Sequence, residues 1–433
     1  MNFTERQITF ENSGHIIHNY QVFSPDDEWI VFDSRNVETE ISSTGTVSIV
    51  KVNTGEIKEL YRTKNQTVHG PGVGAVTFSP VEDKVLFIHG IRNASASNPY
   101  GFARRTGVAI DINDPHVPIF MDARNIIAPF TPGALRGGTH AHTWSGDGKW
   151  ISFTYNDYVF QQRSIKDSSV RDLRTIGVMV PGGVTVPEHG VENNDGEMFS
   201  ALVVPVKENP TPGSDEIDRA FDEGWIGKDG YLKADGSRQK KAIAFQGNTR
   251  NVKGDTITEV FVVDLPDDII QAAKGKAIQG TDSTRPGIPN GVHSRRITFT
   301  KNGLAGPRFW LRSSPDGSVI AYLAKDTNDI VQIYLVSPNG GQVRQLTFHS
   351  SSIQGPFNFS PDGHYLAYTC DNSIFVTNIL DGKSYRVTMR RSEKEKPVGA
   401  PVWSNHGSMI AYNRYVKSGD NYFAQIFVLK KED

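Results

Sequence analysis

The chain has 433 residues, and 46 Lys and Arg against 48 Asp and Glu give it a formal net charge of -2. Such a balance provides no global field that would draw the protein to nucleic acid or to an anionic membrane surface. A single cysteine, Cys370, excludes internal disulfides and a cysteine-rich zinc site. No apolar run reaches the roughly 18 residues of a membrane span. We therefore expect no membrane insertion, with a cytoplasmic location as given, or a periplasmic one if a signal peptide has been removed.

A phrase recurs six times along the chain. It consists of one or two β-prone residues, a turn of the Ser-Pro-Asp-Gly type and an apolar strand. The copies begin at Val22, Thr77, Thr143, Arg312, Asn358 and Val402. In such a turn Pro presets φ, Asp bonds its own backbone and Gly accepts a positive φ. The turn is thus predicted to join the first two strands of each repeat.

Two further apolar runs follow each copy, for example Gln332–Ser337 and Val343–Thr347. Four strands per repeat are typical of a propeller blade. The gap from about Val184 to Arg296 lacks the turn but has room for a seventh blade, with strands expected at Met198–Val206, Lys241–Phe245 and Thr258–Leu265. The sequence therefore predicts an all-β fold, a seven-bladed β-propeller with four-stranded antiparallel blades.

We expect one propeller domain over residues 1–433. The approximate blades are 11–65, 66–130, 131–186, 187–290, 291–348, 349–390 and 391–433. Residues 6–10 read Arg-Gln-Ile-Thr-Phe and match outer-strand phrases at 295–299 and 344–348. Because a propeller must join its first and last blades or leave exposed edges, strand 6–10 is predicted to close the seventh blade.

One segment of the fourth blade, 213–225, departs from the strand pattern. Ile217, Ala220, Phe221 and Trp225 fall at helical spacing behind Ser214, an N-cap candidate. We predict a short helical insertion here. Its acidic residues are expected to form a solvated face, and a carboxylate pair for glycoside hydrolysis is the alternative.

Candidate site residues cluster on one rim. In an antiparallel blade, the start of the first strand and the end of the second lie at the same end of the propeller. This rule gathers His15, His18, Asp33, His69, His89, His140, His142, Asn156 and Asp157 from the first three blades. It adds Arg308, Asp326, Gln354, Asp371 and Arg414 from the last three. All the histidines gathered on this rim belong to the first three blades. This distribution predicts a site there.

Two imidazoles two residues apart on a strand can bind one divalent metal ion. His140 and His142 have this spacing, and His18 and His69 could complete the ligand set. Manganese, calcium and zinc all remain open. Packing between blades, with hydrogen bonds to backbone carbonyls, is the alternative.

His89 ends an apolar strand, where a neutral imidazole could act as a general base or merely cap the strand. Arg104 and Arg105 follow in the next loop, and either could clamp a carboxylate, although solvated loop arginines are the alternative. Four further residues are predicted to bind substrate: Arg136, Asp157, Arg308 and Gln354.

The repeated Phe-Ser-Pro-Asp-Gly, with its later Gln-Ile-Tyr and Gln-Leu-Thr phrases, resembles the TolB-like (WD40-like) propeller repeat. Three segments, 128–142, 213–225 and 352–358, resemble an uncharacterised bacterial family of such propellers. A weaker resemblance is to oligogalacturonate lyases. Thr77–Gly90 resembles their blade with a strand-end histidine, and 140–144, His-Ala-His-Thr-Trp, is similar to their histidine before a Trp-Ser turn.

This second resemblance implies a manganese-binding, seven-bladed propeller that cleaves uronic-acid chains by β-elimination. The leading hypothesis is therefore a carbohydrate-active propeller, with metal-assisted β-elimination on uronate-containing oligosaccharides. A non-catalytic binding propeller that recognises a protein or a glycan is the alternative. The expected partner is an oligosaccharide or other small ligand in the channel mouth.

Overall fold

Strands make up nearly all the regular structure in the computed structural model, which describes residues 2–307 and 311–432. The first strand is β1 (Phe3–Gln7). Blade one contains β2 (Trp29–Asp33), β3 (Thr46–Lys51) and β4 (Ile57–Arg62), and its inner segment joins β2 through isolated bridges at Ile16 and Phe23. Blade two contains β5 (Val73–Phe78), β6 (Lys84–Gly90), β7 (Arg105–Asp111) and β8 (Ile119–Phe120).

The third sheet contains β9 (Gly137–Trp144), β10 (Ile151–Asp157), β11 (Thr175–Val184) and β12 (Gly196–Leu202), with the helix α1 (Tyr158–Lys166) between β10 and β11. The fourth contains β13 (Arg219–Trp225), β16 (Lys241–Arg250), β17 (Thr256–Leu265) and β18 (His293–Arg296), plus a small hairpin of β14 (Tyr231–Leu232) and β15 (Arg238–Gln239).

The remaining sheets follow the same antiparallel order. Blade five contains β19 (Arg312–Ser313), β20 (Ile320–Lys325), β21 (Val331–Val336) and β22 (Arg344–Gln345). Blade six contains β23 (Ile353–Phe359), β24 (Tyr365–Cys370), β25 (Ser373–Asn378) and β26 (Ser384–Arg386). Blade seven contains β27 (Pro397–Trp403), β28 (Met409–Ser418) and β29 (Asn421–Lys431), and β1 adds its fourth strand. The predicted seven-bladed propeller is confirmed. No helix in the described part of the chain is long and apolar enough to cross a membrane.

The recurrent turn forms the same hydrogen bonds wherever its Ser and Asp occur. In blade three the Ser145 hydroxyl donates to Asp147 at 2.6 Å and accepts from the backbone N–H of Trp150 at 3.0 Å. In blade six Ser360 bonds Asp362 and Tyr365 in the same way. The turn therefore fixes the entry into the second strand, as predicted.

Apolar side chains from neighbouring blades pack against each other and form the core. One cluster joins Phe87 of blade two to Val47 of blade one. Another joins Phe245 of the fourth blade to Ile176 of the third. Because every blade is covered on both faces by its neighbours, the strands read as continuous apolar runs rather than as strict alternation.

A short helix is present, as predicted, but it is α1 after β10 and not the segment 213–225. Two predicted positions in the fourth blade are therefore wrong. The segment 213–225 is not a helix, because residues 219–225 form the inner strand β13. A β-bulge between Phe221 and Gly224 adds one residue to the strand, and this breaks the two-residue alternation into a spacing that imitates a helix. The run Met198–Val206, expected in the same blade, instead supplies β12, which pairs with β11 in the third sheet.

Blade seven is closed by the N-terminal strand. β1 pairs antiparallel with β29 from Phe3 opposite Lys431 to Gln7 opposite Phe427. The paired strand begins three residues earlier than the predicted range 6–10. The backbone of Ile8 continues the contact by donating to the Ile426 carbonyl at 3.0 Å. The N-terminal strand thereby pairs with the backbone N–H and C=O groups on the outer edge of β29.

Candidate functional site

β-bulges interrupt the inner strands of several blades at the same end of the central channel. Three of them contain a non-glycine residue with positive φ: Ala75 at 57°, Ala141 at 60° and Asp222 at 50°. An L-residue in this conformation costs about 1–2 kcal/mol, and such strain is concentrated at functional sites. All three residues line one cavity.

This cavity, which we call the central cavity, has a volume of about 550 Å³. Its walls come mainly from blades one to four and include His18, Arg35, Glu38, Phe102, Arg105, His140, Thr154, Arg174, Arg219 and Asp222. It lies at the end of the channel where the inner strands begin, opposite the Ser-Pro-Asp-Gly turns. Its size suits a small ligand rather than a protein surface.

Two arginines meet at the ring of Phe102. The guanidinium carbon of Arg105 lies 4.6 Å from the ring centroid and that of Arg174 lies 4.7 Å from it. Neither forms an ion pair with a carboxylate within residues 2–307 and 311–432. Arg174 donates to the Asn156 side chain at 3.1 Å, whereas Nε of Arg105 is buried without an acceptor. The cavity thus holds two guanidinium groups without a direct ion pair in the described residues, and Asp222 and Asp172 act on Arg174 from a longer distance.

Burial acts on both guanidinium groups. It lowers the pKa of Arg105, and, with the positive charge of Arg219, it lowers the pKa of Arg174 to about 10. Both side chains therefore remain protonated at neutral pH. A buried cation without a counterion is costly, and a bound anion would remove that cost. The arrangement favours a carboxylate or a similar anion as ligand.

His140 stands beside these arginines, with its ring centroid 5.8 Å from that of Phe102. The side chain is buried, and Nε2 has no hydrogen-bond partner in the described structure. Burial, reinforced by the charges of Arg105 and Arg174, holds the pKa of His140 well below its usual range. The imidazole is therefore neutral, and its buried Nε2 lacks a hydrogen-bond partner in the described structure.

His142 does not share this wall, so the predicted His-x-His face is wrong. In the register of β9 with β10, His140 pairs with Thr154 and Thr143 pairs with Ser152, so that one extra residue is accommodated around Ala141. The bulge turns His140 and His142 to opposite faces of the strand. His142 Nε2 instead meets the Thr139 hydroxyl at 2.9 Å, and burial lowers its pKa to about 3.

The other two predicted metal ligands are also separated. His18 lines the central cavity, whereas His69 is an exposed loop residue that does not line it. Within the described residues, no group of three or more His, Cys, Asp or Glu side chains is placed to hold a metal ion. The residues present therefore do not fit the predicted metal site.

Two predicted catalytic residues serve the packing between blades. His89 Nε2 meets the Tyr61 hydroxyl at 2.9 Å, its Nδ1 meets the Gly90 carbonyl, and burial lowers its pKa to about 4. Its neighbour in sequence, Ile88, lines the central cavity and His89 does not. Arg104 donates to Glu192 at 2.6 Å and to Asn93 at 2.7 Å, away from the cavity. Of the three predicted catalytic residues, only Arg105 lines the cavity.

Arg136 and Asp157 form a buried ion pair at 2.9 Å. Arg136 also donates to the carbonyls of Thr281 and Thr284, which ties the long connection between β17 and β18 to the third blade. Asp157 caps α1 by accepting from Phe160 N–H. Neither residue lines the central cavity, and Asp157 lines a separate pocket beside the connection between β17 and β18.

Gln354 exchanges two hydrogen bonds, each of 2.8 Å, with Asn372 at the end of blade six. Arg308 lies outside the described residues. The predicted convergence of His89, His140, His142 and Asp157 at one channel mouth is wrong, since only His140 lines the central cavity.

Sequence reasoning missed most of the cavity lining, and Phe102 and Arg174 are the two residues of that lining that matter most to its chemistry. Phe102 precedes Arg104 in the loop that was singled out, so its aromatic ring was a signal available from the sequence. Arg174 belongs to no motif. Only the packing of the segment before β11 against the inner strands brings it to Phe102.

The fold and cavity define a seven-bladed propeller with a cationic pocket at one end of its channel. Over 416 residues, the chain is 38% identical to the uncharacterized protein YidR of Escherichia coli K12, which covers 94% of each chain. It belongs to the YidR family. Residues 72–194 also match the family described as protein of unknown function DUF3748, and this range contains Phe102, Arg105, His140 and Arg174.

Two solved structures share the fold. An oligogalacturonate lyase in complex with manganese matches with a TM-score of 0.54 and 12% identity, over 100% of this chain and 97% of the other. The oligogalacturonate lyase of Vibrio parahaemolyticus matches with a TM-score of 0.52 and 9% identity, over 100% and 98%. At these identities the similarity shows the propeller fold alone.

Proposed function

We propose that the protein is a carbohydrate-active propeller whose central cavity binds the carboxylate of a uronate-containing oligosaccharide and supports its cleavage by β-elimination. One observation carries this proposal. Arg105 and Arg174, which form no ion pair within the described residues, flank His140, whose buried Nε2 has no hydrogen-bond partner there, in a single cavity. The shared fold with two oligogalacturonate lyases supports the choice of substrate class.

The two arginines would hold the substrate carboxylate. Their charges would stabilise the enolate-like anion that forms when the proton α to this carboxylate is removed. His140 Nε2, neutral and without a partner, is the group available to accept that proton. The electron pair of the broken C–H bond would form a carbon–carbon double bond as the glycosidic oxygen leaves the β-carbon with the electrons of its own bond and takes up a proton from water. His140 thus replaces His89 as the base, and Arg174 replaces Arg104 in the clamp.

Manganese is present in one lyase of the same fold. Here His140 and His142 face opposite ways, and the described residues bring no third ligand to them. No step of the proposed reaction therefore depends on a metal ion.

Recognition of the same anionic glycan without cleavage is the second candidate. The low pKa of His140 favours it, because a strongly desolvated imidazole beside two cations is a weak base. Both candidates require the arginine clamp. They differ in whether His140 transfers a proton.

The test combines calorimetric binding of oligogalacturonate with the ultraviolet absorbance of an unsaturated product. Arg105→Gln is expected to weaken binding about tenfold or more, because it removes a charge-assisted contact. His140→Gln should abolish product formation and change the affinity little. Arg238→Gln, which removes an exposed arginine paired with Asp229 on the fourth blade, is the matched control and should behave like the unaltered protein.

The outcomes separate the two candidates. Binding that depends on Arg105 without any product identifies the non-catalytic propeller. Binding that is the same in Arg105→Gln, or no binding of uronate oligosaccharides at all, overturns the assignment of the cavity to these ligands.

A further inference from the structure

A second pocket opens at the opposite end of the channel, where the Ser-Pro-Asp-Gly turns meet. Trp144 is the last residue of β9 and Trp225 the last of β13, whereas His140 and Phe221 of the same strands line the central cavity. All seven blades contribute to this second pocket, which has a volume of about 260 Å³. We call it the turn-side pocket.

Its walls combine polar side chains with a set of flat apolar ones. Three tryptophans line the pocket together with prolines from four of the turns, and these residues are Trp144, Trp225, Trp403, Pro25, Pro80, Pro315 and Pro361. Such walls present flat apolar surfaces to a ligand, and indoles also offer N–H donors. Nε1 of Trp144 and Nε1 of Trp403 are both buried without an acceptor in the described part of the chain.

The charges of the pocket are all of one sign. Its lining includes Lys228 at the rim and Arg312 at the base, and it contains no Asp or Glu among the described residues. Lys228 forms no ion pair with a carboxylate of residues 2–307 or 311–432. Its backbone N–H donates to the Pro315 carbonyl at 2.8 Å, which fixes the lysine at the rim independently of its side chain.

The base is rigid. The Arg312 guanidinium lies 4.9 Å from the ring centroid of Tyr20 and donates to the Asn358 side chain at 3.1 Å. Asn358 in turn donates to the carbonyls of Asn19 and Pro401, from blades one and seven. Because these contacts span the channel, the cationic base is held in place before any ligand arrives.

From these features we infer that the turn-side pocket is a binding site for a small aromatic carboxylate. The aromatic body would lie among the tryptophan and proline walls, and the carboxylate would meet Lys228. The volume is below the roughly 300–1,000 Å³ of pockets for drug-sized ligands, so the ligand is small. This inference is independent of the function proposed for the central cavity.

Phenylacetate and its uncharged analogue phenylacetamide are suitable probes, with tryptophan fluorescence and calorimetry as readouts. Phenylacetate is expected to bind saturably and about tenfold more tightly than phenylacetamide, because only the acid contacts Lys228 as an ion. Lys228→Gln should reduce the affinity for phenylacetate to that for the amide, and Lys228→Arg should retain it. Lys253→Gln removes an exposed lysine in the turn between β16 and β17, and should change nothing.

Arg105→Gln distinguishes the two ends of the channel. Binding of phenylacetate should persist in this variant if the ligand occupies the turn-side pocket. The inference is overturned if neither fluorescence nor heat reports binding, if acid and amide bind equally, or if Arg105→Gln abolishes binding while Lys228→Gln does not. None of these results bears on oligogalacturonate binding.

Discussion

Three side chains near the central cavity keep buried polar atoms without partners in the described structure. They are Nε of Arg105, Nε2 of His140 and Oε1 of Glu223. An unsatisfied buried group costs about 1–3 kcal/mol, so folding alone would not favour three of them in one region. Atoms of the same kind also occur in other blades, for example Nε1 of Trp403 and Oε1 of Gln425, so the three near the cavity support a binding site only together with the arginines.

Of these three side chains, Glu223 has the pKa closest to neutral pH. Its Oε2 accepts from the Thr154 hydroxyl at 2.7 Å, and Thr154 is the cross-strand partner of His140. Burial raises the pKa of Glu223 to about 7, with the nearby Asp222 raising it further and Arg312 lowering it. The native protein therefore binds a proton here that the unfolded chain releases at lower pH.

This difference predicts that Glu223 makes stability fall as pH rises. Below the ordinary Glu pKa of about 4.5, Glu223 is protonated in both the folded and the unfolded protein and has no effect on stability. Above it, the loss of folding stability grows up to about pH 7 and then stays constant. Glu223→Gln should remove it, so the variant should gain up to roughly 3 kcal/mol relative to the unaltered protein between pH 4.5 and pH 8. Urea unfolding at several pH values measures this gain. Glu197→Gln, at an exposed position, is the control, and parallel curves for Glu223→Gln and the unaltered protein would contradict the prediction.

At the scale of elements, the bulges of the inner strands decide which side chains reach the cavity. The bulge in β9 presents His140 and turns His142 away, and the bulge in β13 turns Glu223 toward Thr154. Both bulges contain a non-glycine residue at positive φ. The strand geometry therefore carries strain at the site itself.

Substitutions at Ala141 test this geometry. Ala141→Gly should relieve the positive-φ strain and stabilise the protein by about 0.5–1 kcal/mol, whereas the β-branched Ala141→Val should destabilise it by about 2 kcal/mol. Urea unfolding provides the measurement. Ala201→Gly, at a strand position where φ is not positive, should destabilise the protein. Equal losses in Ala141→Gly and Ala201→Gly would show that Ala141 is unstrained.

For the whole molecule, closure of blade seven joins the two ends of the chain. Glu5 of β1 accepts a hydrogen bond from the Tyr412 hydroxyl and pairs with Arg391 at 2.7 Å. Arg414 lies 4.0 Å from the same carboxylate. One half-buried carboxylate thus ties β1 to blades six and seven, and protects the edge of β29.

Glu5→Gln is therefore expected to destabilise the propeller by about 1–2 kcal/mol, because two arginines lose their common counterion. Thermal unfolding measures the effect. Glu28→Gln makes the same chemical change at an exposed carboxylate 3.5 Å from Lys51, and should shift the midpoint by much less. If both variants shift it equally, the Glu5 cluster contributes nothing specific to closure.

The sequence by itself determined the propeller. Six phrases of the Ser-Pro-Asp-Gly type repeat along the chain, and wherever both the Ser and the Asp are present they form the same local hydrogen bonds. Closure by the N-terminal strand could be predicted for the same reason, from a phrase shared with two outer strands. Of the site, Arg105 and the cavity histidines His18 and His140 were identified from the sequence, whereas Arg174 was not.

Only the tertiary structure decided which of these residues act together. A bulge adds one residue to a strand, and one residue reverses every side chain beyond it, so the two-residue spacing of His140 and His142 could not reveal that they face opposite ways. Likewise, Arg174 reaches Phe102 through packing between segments about 70 residues apart in sequence. Adjacent residues determine the turns, but the central cavity is formed by residues from different blades, which meet only when the ring closes.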